Sequence, residues 1–370
     1  MGWIINLMRE YKAVKHTVIG GVILFATYII LILCGCPLFF DYFEYPRYGG
    51  WLWGPKNEKG EWTVVYSKVT EKVRHLKGAG MFGYKVMGIY VQIAQVNIDG
   101  SDNRVLAEID AKKGGLCDYS RKTGKALVVL HAADPAAPGG WDLYLMNLDG
   151  SNKELLLSTL CTDAQFSPDG AKIAFMAWDR SGKTTIYLWL MDLKSRKMKV
   201  LCEVGKDGDD YWTWHPSGKY LITAMNKKAG WIIDLDGKII DKIDTKASTP
   251  CFSPDGNYLV GYCNMFRIKR TMSEGKEKWT GEDTPGIHFG GGGNAPKWSP
   301  CGRYIIAGSE GGVTIVDLLY GYDGKVLTPG LSRGEFDREQ SRITLRGFRQ
   351  WVQQNDPEWW NVMIQKFPRR

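Results

Sequence analysis

The eight cysteines, at positions 34, 36, 117, 161, 202, 251, 263 and 301, include no C-x-x-C pair. The common zinc, iron–sulfur and c-type haem signatures are therefore missing. Histidine is scarce, with five residues at 16, 75, 131, 215 and 288. His75 and His131 have no second histidine or carboxylate at ligand spacing. A hydrolase elbow G-x-S-x-G is absent; the nearest string, Ala307-Gly-Ser-Glu-Gly311, has alanine in the first position. Asp207-Gly-Asp-Asp210 lacks the ligand order of a twelve-residue calcium loop. The net charge of +8 is mostly a surplus at the two ends, residues 1–16 and 331–370, so no basic block in the middle points to nucleic acid. No catalytic set, metal or cofactor is expected from these residues.

Glycine and aromatics are abundant, with 44 Gly, 15 Trp and 18 Tyr, as broad sheets with many turns require. One apolar run stands out. Residues 17–40 contain no Asp, Glu, Lys or Arg, and twenty helical residues span about 30 Å, the thickness of a hydrocarbon core. Arg9, Lys12 and Lys15 precede it, and Asp41 and Glu44 follow. The positive-inside rule then predicts a single-pass transmembrane helix with residues 1–16 in the cytoplasm. The rest of the chain is expected on the extracytoplasmic side of a bacterial-type inner membrane. Leu33-Cys-Gly-Cys36 also matches a lipobox, which makes Cys36 a lipidation candidate; cleavage as a signal peptide is the third reading. Residues 41–60 read as an aromatic linker, with Tyr42, Phe43, Tyr45, Tyr48, Trp51 and Trp53 as a belt at the outer interface.

A repeat fills the centre of the chain. Ser167-Pro-Asp-Gly170, His215-Pro-Ser-Gly218, Ser253-Pro-Asp-Gly256 and Ser299-Pro-Cys-Gly302 are copies of one turn, and Ser120-Arg-Lys-Thr-Gly124 is a looser one. Proline presets φ, aspartate bonds its own backbone and glycine accepts positive φ. Each turn is followed by a β-rich run: KALVVLH, KIAFMAW, KYLITAM, NYLVGYC and RYIIAGS. A third strand ends in Asp-Leu or Asp-Gly, as in Leu143–Gly150, Ile186–Leu193, Trp231–Gly237 and Val313–Leu318, with an early copy at Gly88–Gly100. A short fourth strand follows. Four antiparallel strands per roughly 45 residues is a propeller blade. The predicted fold class is all-β, a propeller of about six blades over residues 61–330.

This repeat resembles that of the TolB-type six-bladed propellers, which also builds the propeller of prolyl-oligopeptidase-like enzymes. The resemblance implies the fold and leaves the activity open. With no hydrolase domain in the last 40 residues, a non-catalytic scaffold or accessory subunit of a membrane or envelope complex is the expectation, with another protein as partner. The alternative is a ligand-binding or enzymatic propeller that uses the loop 286–296, where His288-Phe-Gly-Gly-Gly-Gly-Asn294 lacks the Gly-Lys-Ser/Thr of a P-loop but offers His288 and Asn294 at a channel mouth. After Gly330 the pattern turns helical. Residues 335–354 carry Leu345, Phe348, Trp351 and Val352 along one side, and Asp356-Pro357 predicts a capped second helix. This tail either packs on the propeller, docks a subunit through Phe348, Trp351, Trp359 and Trp360, or touches the membrane surface.

Overall fold

The computed structural model describes residues 40–76, 84–111, 113–131, 140–158, 161–178, 185–205, 211–225, 229–243, 249–261, 264–287, 294–309, 312–320, 325–326 and 338–369. Six four-stranded antiparallel sheets take their strands in chain order. Blade 1 holds β1 (Phe40–Lys56), β2 (Trp62–Leu76), β3 (Tyr84–Asn97) and β4 (Arg104–Asp110). Blade 2 holds β5 (Gly114–Ser120), β6 (Lys125–His131), β7 (Trp141–Asn147) and β8 (Glu154–Ser158). Blade 3 holds β9 (Cys161–Phe166), β10 (Lys172–Trp178), β11 (Ile186–Asp192) and β12 (Met198–Gly205). Blade 4 holds β13 (Tyr211–Trp214), β14 (Tyr220–Met225), β15 (Ala229–Asp234) and β16 (Ile239–Ile243). Blade 5 holds β17 (Cys251–Phe252), β18 (Tyr258–Val260), β19 (Met265–Ser273) and β20 (Lys276–Thr284). Blade 6 holds β21 (Asn294–Trp298), β22 (Tyr304–Ser309), β23 (Gly312–Asp317) and β24 (Lys325–Val326). Helices α1 (Arg338–Asn355) and α2 (Pro357–Lys366) close the described chain.

The turns do what their residues dictate. Ser167 Oγ accepts the Lys172 N–H at 2.9 Å and donates to Asp169 at 2.5 Å, while Gly170 closes the turn at φ +71. Ser253 and Asp255 repeat the pattern. Blade 1 has a turn of the same kind that the motif does not reveal. Asn57 Oδ1 accepts the N–H groups of Lys59 and Glu61, and Gly60 sits at φ +76. Asparagine here does the work of serine and aspartate together, as an Asx turn.

Burial explains the composition of each strand. The second strand of a blade lies between two neighbouring sheets and is apolar on both faces, so β10 is buried at all five central residues of KIAFMAW. Outer strands such as β8 and β16 are largely open to solvent. Six hydrophobic clusters result, one between each pair of adjacent blades.

Two readings of the sequence change here. The stretch read as an aromatic linker is strand β1, in keeping with the strand preference of aromatic residues. Trp51 and Trp53 belong to no interfacial belt; their indole N–H groups donate to the carbonyls of Ala295 and Lys297 in blade 6, each at 3.0 Å. Phe40, placed at the end of the apolar segment, opens this strand. Residues 17–39, with Cys36, lie outside the described residues. Among the described residues no helix is long and apolar enough to cross a membrane.

The chain divides into two compact units. The propeller unit comprises Pro46–Val69 and Tyr90–Arg370; the other comprises Met1–Tyr45 and Thr70–Ile89, into which β1, β2 and β3 continue.

Candidate functional site: the central channel

The first strands of five blades, Met176 of β10 and the residues just ahead of β17 line a common cavity. Gly50, Trp51 and Leu52 come from β1, Leu116 and Cys117 from β5, Asp163 and Gln165 from β9, Tyr211 and Trp212 from β13, and Ala295 and Lys297 from β21. Thr249 and Pro250, just ahead of β17, complete the ring, and the cavity volume is 360 Å³. That is within the range of small-ligand sites.

Bonds from one blade to the next hold this ring in place. Ser67 Oγ accepts the Leu116 N–H at 3.1 Å, and Arg121 Nη1 donates to the Trp53 carbonyl at 3.3 Å. Asp118 accepts the N–H of Phe166 in blade 3 at 2.7 Å and that of Tyr119 at 2.8 Å. Gln165 Nε2 donates to the Trp212 carbonyl at 3.3 Å, and the Ala295 N–H donates to Thr249 Oγ1 at 3.2 Å. With the two indole bonds of β1, these links join blades 1 to 4 in turn, the approach to β17 with blade 6, and blade 6 with blade 1.

The electrostatics are mixed. Burial pushes the Asp118 and Asp163 carboxyls up from their ordinary range, and the nearby Lys297 charge pulls both back. Burial and then the charge of Asp163 push the Cys117 thiol up to about 12, and burial raises Cys161 and Cys251 as well. These thiols stay protonated at neutral pH and are poor nucleophiles. Among the described residues no group of three or more His, Cys, Asp or Glu has a metal-holding arrangement.

Backbone strain gathers at the same place. Among the described residues, six that are not glycine have positive φ. Asp102, Asn152, Arg196 and Glu274 sit in hairpin turns, whereas Thr249 and Ala295, both at φ +50, line the channel. A β-branched residue in this region is held there by its surroundings.

Of the residues singled out in the sequence, His288 lies outside the described residues. Asn294 begins β21, so the glycine-rich string leads directly into Ala295 and Lys297 of the channel wall. The aromatic residues of the tail face inward. Phe348 and Trp359 are buried, at 0% and 8% exposure, in the cluster between blades 5 and 6, and Trp351 and Trp360 are half-buried against it. Of the readings the sequence allowed for this tail, packing on the propeller accounts for Phe348 and Trp359, and Trp351 and Trp360 keep part of their surface open. The cause is local: β17 and β18 have only two and three residues, so blade 5 offers little inner sheet, and the helix pair supplies the missing apolar surface. Among the described residues of the tail, Ile343 and Val362 are the large apolar side chains left exposed, at 54% and 56%.

Fold, turns and channel define a six-bladed propeller built from Ser-Pro-Asp-Gly blades. No protein-family model matches the chain. The chain is similar to the Tol-Pal system protein TolB of Anaeromyxobacter sp. (strain K), with 26% identity over 195 residues, half of this chain and 43% of that one. It is also similar to the uncharacterized protein YidR of Escherichia coli (strain K12), 27% identical over 99 residues, or 25% of this chain and 23% of that one. The chain spans less than half the length of these curated relatives. Solved structures similar to it include TolB from Acinetobacter baumannii, with TM-score 0.42 and 13% identity over 75% of this chain and 77% of that one. A putative TolB from Agrobacterium tumefaciens has TM-score 0.45 and 20% identity over 63% and 86%. The chain carries a TolB-like propeller and is not TolB itself.

Proposed function

We propose that the chain is a membrane-anchored, non-catalytic propeller that serves as a protein-binding scaffold or accessory subunit of a larger membrane or envelope complex, displayed on the extracytoplasmic side of a bacterial-type inner membrane. The observation that carries this reading is the joining of two features in one chain. An uncharged run at 17–40, basic before and acidic after, ends where the first blade of a TolB-like propeller begins. One of the curated relatives is named a Tol-Pal system protein, which favours a role within a multi-protein system. The side-chain-to-backbone bonds between blades stiffen the platform, as a scaffold requires. Within the tail, the exposed Ile343 and Val362 are the residues best placed to meet a partner.

The test is native mass spectrometry of the full chain extracted in mild detergent from its own membranes. The expected result is membrane retention through alkaline carbonate washing and a stoichiometric complex heavier than the 41.7 kDa chain. Release by carbonate, or a monomer with its tail intact, overturns the proposal. The same spectrum reads the mass of the N-terminus and so separates a retained anchor from a lipidated Cys36.

A further inference from the structure

Two charged side chains in the channel are left without ion-pair partners among the described residues. Asp163 accepts from Gln165 Nε2 at 3.4 Å and from the Ala164 backbone, and the Lys297 charge acts on it from nearby without closing an ion pair; Lys297 gives its backbone carbonyl to Trp53. They differ from the other buried charges of the propeller. Arg303 holds the fully buried Asp317 by three bonds of 2.7–3.2 Å, and Asp118 has its two backbone donors. A half-buried charge held short of an ion pair is costly unless something completes it. The same cavity is lined by the apolar Trp51, Leu52 and Met176. Trp212 adds an indole N–H with no acceptor among the described residues.

We propose that the channel is a binding site for a small zwitterion, an α-amino acid in its simplest form, whose ammonium meets Asp163, whose carboxylate meets Lys297, and whose side chain lies against Trp51 and Met176. A ligand of one sign would satisfy one of the two charges and oppose the other. A zwitterion satisfies each at once, and a cavity of 360 Å³ accommodates one. The strained Thr249 and Ala295 stand on the rim of the same cavity, where a fixed wall geometry serves recognition. This site is independent of the scaffold reading, because it needs neither an anchor nor a protein partner.

The experiment is equilibrium dialysis of the purified full chain in detergent against an equimolar mixture of the twenty common L-amino acids, with retained species identified by mass spectrometry. The expected result is retention of one or a few apolar amino acids. For whichever amino acid is retained, its decarboxylated amine and its deaminated acid bind at least tenfold more weakly. Asp163→Asn and Lys297→Met each weaken binding at least tenfold, whereas Lys297→Arg retains it, and circular dichroism confirms unchanged thermal unfolding. Should Asp163→Asn fail to fold, the two lysine variants decide the matter alone. No retained amino acid, or retention unaffected by Lys297→Met, overturns the proposal.

Discussion

His215 stands where serine stands in three of the turns, and the substitution rewires its surroundings. Its Nδ1 accepts the Ser217 N–H at 3.2 Å and lies 2.8 Å from the Ser217 hydroxyl. The proton of the neutral ring is therefore on Nε2, which is buried and has no acceptor among the described residues. The ring packs edge-on against Phe252 and Trp279, with centroids 5.0 and 5.2 Å away. It also fills the space a Cβ at Gly256 would need. Burial, helped by the charge of Arg270, holds the imidazole down at about 4. A base with a depressed folded value stabilises fully above its unfolded value, near 6.5, and loses that contribution as pH falls toward 4. The unfolding midpoint of the protein should fall between pH 7 and pH 4.5. In His215→Ser that fall should be shallower, although the variant starts lower at pH 7 because of the cavity beside Phe252 and Trp279. Parallel pH profiles of thermal unfolding for the two proteins check this.

Among the elements, the helix pair depends most on a single residue. Asp356 caps α2 by accepting the Trp359 N–H at 3.3 Å, accepts the buried Tyr258 hydroxyl at 2.8 Å, and pairs with Arg267 at 3.1 Å. Burial, and then the bond to Asp356, raises the Tyr258 hydroxyl far above its ordinary range, so it remains a donor. Asp356→Ala should cost about 3 kcal/mol, the sum of a lost cap and two groups left unpaired, while Asp356→Asn should cost roughly half of that. Phe348→Ala, at a fully buried site in the same wedge, should cost about 4 kcal/mol. Denaturant titration with unchanged slope distinguishes lost stability from a changed unfolded state.

The helices were legible in advance because their cues are local. Leu345, Phe348 and Val352 fall at helical spacing, and Asp356-Pro357 is a cap. The direction in which they face was not legible, since that depends on the shortness of β17 and β18. The Ser-Pro-Asp-Gly turns were plain, whereas the turn of blade 1 was hidden because Asn57-Glu-Lys-Gly60 reaches the same bonds with a different residue at each of its first three positions. The channel was invisible for a topological reason: Asp163 and Lys297 are 134 positions apart in sequence and share one cavity only once the blades converge. The available hint was a polar residue in the otherwise apolar piece before a turn, as in Gln165 and Lys297.

At the scale of the whole ring, blades 1 and 6 share no strand; each described sheet is built from consecutive strands. Closure rests on the two indole bonds of Trp51 and Trp53 and on the cluster joining Trp53, Val64 and Val96 to Ile306, Val313 and Ile315. Gly308 is part of that closure. A Cβ there would overlap the Trp51 indole, so the indole lies directly on the strand. Gly308→Ala should force the seam apart and destabilise the protein by about 2–3 kcal/mol, with faster hydrogen exchange in β1 and β22 than in β10 and β11. Uniform exchange across the blades would contradict a weak seam.

The order of strands within each sheet also sets the order of events in folding. All hairpins close over stretches of neighbouring chain, so their loop-closure cost is low and pairing can be fast. A blade needs nothing from the far end of the chain to complete its hydrogen bonds. Blade 1 can pair as soon as its own residues are available, and the blades after it can add in turn, each new sheet covering the apolar face left by the last. The one contact that has to wait is the docking of β21 and β22 onto Trp51 and Trp53, across 244 positions of sequence. Until then the face of blade 1 that meets Ile306 and Ile315 stays bare. The time for which that face is uncovered, rather than the final stability, is the interval in which this protein is most exposed to aggregation.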